Sequence, residues 1–205
     1  MYRLISFDLM GTLIRPKTNV AVQYIEAIAR HGSKGVTLSE RDIWHQFYAS
    51  YKHQSSISPV YGFYTQQDTY DWWKYVFRRT FEHEQSVADE HIDAAFDDVY
   101  HNFEYGLLPG AKELLESIKR DDQCKVAAYS NTDERIHVKL AELGINEHFD
   151  WVMTSGETGL EKPRLQGYLR MLTIAGIPDE PEQAVHIGDD YHADYDGAKR
   201  AGQLS

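Results

Sequence analysis

Four short apolar runs, Leu4 to Leu9, Lys125 to Tyr129, Phe149 to Met153 and Ala184 to Ile187, set the fold of this sequence, and helical patterns separate the last three. Each run is bounded by Gly, Asp, Ser or Asn and is too short for a buried helix, so each reads as a buried strand. Strands buried on both faces and alternating with helices belong to a parallel sheet covered by helices. The helices carry their own punctuation. Pro109-Gly110 leads into Ala111 to Lys119, Asp133 opens a helix that Gly144 closes, and Pro163 opens one that Gly176 closes. The expected class is α/β, a doubly wound Rossmann-like core.

Residues from Pro16 to Tyr105 have no strand pattern and four helical candidates, so they read as an all-helical insertion, with the core formed by 1–15 and 106–205. Asn19 can cap a helix that Gly32 closes. Thr37 with Glu40, and Thr65 with Asp68, have capping-box spacing, and Ser86 is placed to cap a fourth helix reaching Phe103. Along the third helix Tyr70, Trp73, Tyr75, Val76, Phe77 and Phe81 form an apolar stripe, which is expected to pack as the core of the insertion. A chain of 205 residues suits one core plus such a module.

The strand ends carry the chemistry. The first run ends in Phe7-Asp8-Leu9-Met10-Gly11-Thr12, the second in Tyr129-Ser130-Asn131-Thr132, and the fourth in Gly188-Asp189-Asp190 with Asp194 a turn later; Lys162 stands before the helix that Pro163 opens. Ligands of open α/β sheets bind outside the carboxyl ends of the strands, and Gly11 permits close backbone approach there. Taken singly, Asp8 can merely end a strand, Ser130 cap a helix, Lys162 be solvated and the acids form a turn. Falling together on one sheet edge, they point to a site. His186 reads as a core residue within its strand, and His192 as a bystander on the loop.

With 21 basic and 32 acidic residues the net charge is −11, which opposes non-specific attraction to nucleic acid or an anionic membrane. A small anionic substrate stays open, because fixed cations and a bound metal set the local potential. The single cysteine, Cys124, rules out an intrachain disulfide framework and suits a reducing compartment. The apolar start is too short for a signal peptide, and no stretch approaches the roughly 18 apolar residues of a membrane span. The expectation is an intracellular protein, cytoplasmic by default.

In order and spacing, the segments around Asp8, Ser130, Lys162 and Asp189 resemble the four signature motifs of the haloacid dehalogenase superfamily, and the insertion after the first matches its helical-cap subclass. The runs Trp72-Trp73, Tyr129 to Asp133, Ser155 to Pro163 and Gly188 to Ala198 resemble one eukaryotic subfamily of it. The resemblance implies that Asp8 attacks the substrate to form an aspartyl intermediate, which water then breaks. It implies Mg2+ held by Asp8, the Met10 carbonyl, Asp189 and Asp194, with Asp190 as an alternative or outer contact. It also implies phosphate oxygens held by Ser130, the Asn131 backbone and Lys162.

The sequence departs from the superfamily's phosphatases where they place a second, acid/base aspartate: here the residue is Met10. Loss of general acid–base help costs roughly 10²–10⁴ in rate, so the resemblance implies a weakened phosphatase or a binding protein on the same fold. The 2-haloacid dehalogenases also lack the second acid, but they lack the acidic fourth motif too. A phosphonoacetaldehyde hydrolase would need a cap lysine, for which Lys52 and Lys74 are candidates. Arg164-Leu165 follow Lys162-Pro163 where the family has Asp-Pro. The resemblance also predicts at least one more strand after the helix over Asp196 to Ala201, whereas the sequence stops at Ser205, so an unpaired sheet edge is expected.

Overall fold

The computed structural model describes residues 2–32, 36–119 and 124–205. In chain order the elements are β1 (Leu4–Phe7), β2 (Ile14–Pro16), α1 (Val20–Arg30), α2 (Glu40–Ile57), α3 (Thr69–Thr80), α4 (Asp89–Asn102), β3 (Tyr105–Leu107), α5 (Ala111–Ile118), β4 (Lys125–Ser130), α6 (Ile136–Glu142), β5 (Trp151–Thr154), α7 (Ser155–Thr158), α8 (Leu165–Ala175), β6 (Ala184–Ile187) and α9 (Gly197–Arg200). A π-helical turn, Tyr191–Asp196, precedes α9. The chain divides into two compact units, one comprising Pro16–Tyr105 and the other the remainder.

The second of these units is built on a four-stranded parallel sheet in the order β5-β4-β1-β6. The four apolar runs are those four strands; the central β1 and β4 are buried almost throughout, while β5 and β6 at the edges are partly exposed. After β1 the chain steps outward to β4 and β5, then returns to the other side of β1 to lay down β6. That reversal beside β1 is the switch point at which α/β sheets open a crevice. Register fixes what faces it. Phe7 lies opposite Ala128 on one side and Ile187 on the other, so the next residues, Asp8, Tyr129 and Gly188, leave the sheet at one level. Period-two alternation puts Leu4, Ala127, Tyr129, Met153 and Ala184 on one face, packed against Tyr168, Met171 and Leu172 of α8 and Ala198 of α9.

The edge beside β6 is not bare. Leu204 forms a parallel bridge with Val185, accepting from the His186 N–H (2.8 Å) and donating to the Ala184 carbonyl (3.0 Å). The strands β2 and β3, too short to show a period, pair with each other.

The Pro16–Tyr105 unit holds α1 to α4. Asn19 caps α1, accepting from the Ala21 N–H at 2.9 Å. The aromatic stripe of α3 packs inward: Phe77 and Phe81 are buried with Tyr24, Ile28 and Phe96, and Tyr70 and Trp73 lie against that cluster. The other three expected caps shift downstream. Ser39, not Thr37, caps α2; Asp68, not Thr65, caps α3; and α4 starts after Ala88, with no side-chain cap from Ser86. The displaced hydroxyls have other partners. Thr65 bonds Ser58, while Thr37 and Ser86 both bond Glu84.

Glu84 is therefore a clip between two loops. It is buried and accepts from the amides of Thr37 (2.7 Å), Leu38 (3.0 Å) and Ser86 (3.0 Å) and from the hydroxyls of Thr37 (2.9 Å) and Ser86 (2.6 Å). Burial pushes its pKa up, but these donors, those of Ser86 first, outweigh it and lower the pKa from 4.5 to about 2. A depressed carboxylate stabilises the fold above its unfolded pKa and loses that contribution as pH falls through the folded one. The contribution is on the order of 3 kcal/mol at neutral pH, lost between about pH 5 and 2. Urea unfolding should thus show Glu84→Gln less stable than wild type at neutral pH, with the gap closing across that window. A gap independent of pH would contradict this role.

Among the described residues no helix is long and apolar enough to cross a membrane.

Candidate active site

Asp8 follows β1 directly, and its N–H donates to the Ile187 carbonyl (2.8 Å), which holds it against the end of β6. A tight turn follows, in which the Leu9 carbonyl accepts from Leu13 and Ile14 (both 2.9 Å). Gly11 has φ +83°, and a Cβ there would lie 2.3 Å from an Asp189 carboxylate oxygen. Gly188 is equally constrained, since its Cβ would meet the Asp194 carboxylate carbon at 2.1 Å. Both glycines let carboxylates close on the strand ends where any side chain would displace them.

The structure brings Asp8, Asp189 and Asp194 together: one carboxylate oxygen from each lies within 4.8 Å of the others. Asp8 and Asp194 are buried, and Asp189, which accepts from the Thr12 hydroxyl (3.3 Å), is exposed. The buried Lys162 ammonium lies between the first two, 2.7 Å from Asp8 Oδ1 and 2.6 Å from Asp194 Oδ1. Three acids against one ammonium leave an excess of negative charge on hard oxygen ligands, the donor set that Mg2+ prefers. Burial pushes the Asp8 carboxyl above its usual range, and the Lys162 charge opposes this. Burial also works to raise Asp194, but hydrogen bonds from His186 and Lys162, with the Lys162 charge, hold it below that range.

The remaining sequence candidates fall into two groups. Ser130, buried, and Asn131 stand at the end of β4, on the edge that carries Asp8. The Asn131 side chain grips the Lys162 backbone, donating to its carbonyl (2.9 Å) and accepting from its N–H (2.7 Å). It thus fixes the lysine's approach, while Met10, half-buried, sits in the turn after Asp8. Asp190 does something else. Its carboxylate caps the π-helical turn, accepting from the Ala193 N–H (2.7 Å), and it is outside the acidic cluster. Arg164 begins α8 without a side-chain cap. His192 lies in the π-helical turn, most of its side chain exposed.

Sequence reasoning missed His186. It is buried as expected, but it also belongs to the site: Nε2 is 3.0 Å from Asp194 Oδ1, and Nδ1 is 2.8 Å from Ser6 Oγ. The signal was present in two polar residues, Ser6 and His186, each two positions before a strand-end residue of the site. Tyr168 was missed too; its hydroxyl donates to the Ala193 carbonyl (2.5 Å) and ties α8 to the turn carrying Asp194.

A sequence model described as haloacid dehalogenase-like hydrolase matches residues 2–202. The chain belongs to that family. Haloacid dehalogenase-like hydrolase domain-containing protein 3 of Xenopus laevis is 30% identical over 207 residues, covering 99% of this chain and 82% of that protein. The human protein of the same name is 31% identical over 208 residues, with 99% and 80% covered. Among solved structures, the putative HAD-hydrolase YfnB from Bacillus subtilis bound to magnesium superposes with a TM-score of 0.72 at 18% identity, covering 98% of this chain and 86% of that one. A HAD phosphatase from Thermococcus onnurineus gives 0.64 at 21%, covering 98% and 83%. At these identities the structural likeness shows the fold: the Rossmann-like α/β core of haloacid dehalogenase-like hydrolases with its helical insertion.

Proposed function

We propose that this member of the haloacid dehalogenase-like hydrolases is a magnesium-dependent phosphatase, acting on a small phosphorylated metabolite through an aspartyl intermediate on Asp8, with turnover limited by Met10. The observation that carries the reading is the Lys162 ammonium bonded to Asp8 beside two further acids at one strand edge. The same reading takes Pro16–Tyr105 as the helical cap and puts the protein inside the cell, cytoplasmic by default, as its single cysteine suggests.

In this mechanism an Asp8 carboxylate oxygen forms a bond to phosphorus as the bond to the leaving oxygen breaks, and water then releases phosphate and restores Asp8. Lys162, steered by Asn131, and Ser130 with the Asn131 backbone hold the phosphoryl oxygens. Asp8, the Met10 carbonyl, Asp189 and Asp194 would hold Mg2+, which supplies positive charge to the phosphoryl group. Met10 has no proton to give, so the leaving oxygen departs as an anion. The acidic cluster favours this reading over metal-free dehalogenation. Lys52 stacks on Tyr48 and Lys74 pairs with Asp93, which leaves neither lysine favoured as an imine-forming residue.

The test is magnesium-dependent hydrolysis of an aryl and an alkyl phosphate by the wild type. Cleavage of the aryl ester at least about 10²-fold faster is expected, the lower bound of a missing proton donor. No cleavage of either ester, with magnesium bound, would turn the reading toward a binding protein.

A further inference from the structure

Ser6 and His186 are in register on neighbouring parallel strands, β1 and β6, and both are buried to about 1% exposure. By alternation Ser6 shares a face with Leu4 and Asp8, and His186 with Ala184 and Gly188, so the pair lies one step behind the strand ends that carry the acids. A buried polar pair inside a sheet need only satisfy itself. This one extends further, because the second ring nitrogen reaches the same Asp194 oxygen that receives Lys162.

We infer that Ser6 and His186 form a positioning pair that fixes the Asp194 carboxylate and, through it, the Lys162 ammonium beside Asp8. Hydrogen-bond valence supports a single arrangement. An ionised Asp194 only accepts, so the Nε2 facing it carries the hydrogen. The neutral ring then accepts at Nδ1, and among the described residues the donor within reach there is the Ser6 hydroxyl at 2.8 Å. The competing contact of that hydroxyl with the Val185 carbonyl is 3.5 Å, too long to take the proton away. Ser6 thereby selects the tautomer, and the ring delivers its N–H to Asp194 Oδ1. With Lys162 on the same oxygen and the Asp190 N–H on Oδ2 at 3.0 Å, three donors lock the plane of the carboxylate. Oδ2, with one donor, keeps acceptor capacity toward a cation.

Groups behind metal-ligating residues change metal affinity by about 10- to 100-fold. This part of the inference rests on the magnesium reading; the tautomer does not. Ring-nitrogen NMR of the full chain, at a pH well above the ordinary histidine pKa, should show His186 as a single Nε2–H tautomer, and Ser6→Ala should abolish that preference. Calorimetric titration with Mg2+, well below the unfolding temperature, should show binding weakened about 10- to 100-fold in His186→Leu and largely restored in His186→Gln, whose amide N–H replaces Nε2–H. A merely structural histidine would lower the melting temperature without this split between leucine and glutamine. If His186→Leu does not fold, Ser6→Ala serves in its place, with a loss in Mg2+ affinity of the same sign. An Nδ1–H tautomer in the wild type, or Mg2+ affinity unchanged in the variants, overturns the inference. If the wild type binds no Mg2+, the phosphatase reading fails, and the tautomer in wild type and Ser6→Ala still decides the pair.

Discussion

Replacing Met10 with aspartate is expected to raise magnesium-dependent hydrolysis of an alkyl phosphate by about 10²–10⁴-fold, with a far smaller gain on an aryl phosphate. The asymmetry follows from the leaving group. An alkoxide is a strong base and needs a proton as the bond to phosphorus breaks, whereas a phenoxide leaves readily as the anion. Position 10 lies two residues after Asp8, in the turn held by the Leu9 carbonyl, the place where the resemblance puts an acid/base aspartate. Its backbone contribution is unchanged by the substitution. Met10→Asn has similar polarity but no transferable proton, so it should stay near the wild type. Values of kcat/KM for both esters across the three proteins decide the matter. Equal gains on both esters, or a gain in Met10→Asn, would show that protonation is not what methionine took away.

Much of this architecture was legible in the sequence because it rests on local pattern. The four sheet strands declare themselves as short apolar runs, and the strand-end polar groups follow from knowing which edge of a parallel sheet binds ligands. Helix starts were less legible where hydroxyls have distant partners. Thr37 has a capping pattern with Glu40, yet its hydroxyl goes to Glu84, 47 residues away, and the helix begins at the next available cap, Ser39. Ser86 is drawn off by the same carboxylate. The Ser6–His186–Asp194 chain was hidden for a related reason. A polar residue in a buried strand says only that it has some partner, and which one depends on the register between β1 and β6. The sheet edge beside β6 also differs from what the pattern of strands alone suggested, because Leu204, a single bridging residue, has no strand period to reveal it.

Asp8→Asn is expected to reduce hydrolysis of an aryl phosphate by on the order of 10³-fold or more, since loss of a nucleophile removes the chemical step rather than one contact in it. The substitution is a mild one structurally. Asparagine keeps the size and one carbonyl oxygen at a position where burial already disfavours the charged carboxylate, and Lys162 keeps its bond to Asp194. The fold should therefore survive, and saturating Mg2+ offsets the loss of one anionic ligand. Phosphate release from an aryl phosphate at saturating Mg2+, by wild type and Asp8→Asn, with Mg2+ binding verified for both, tests the central claim most directly. The account predicts turnover by the wild type that Asp8→Asn all but abolishes. Equal rates in the two proteins, or equal inertness while both still bind Mg2+, would contradict it.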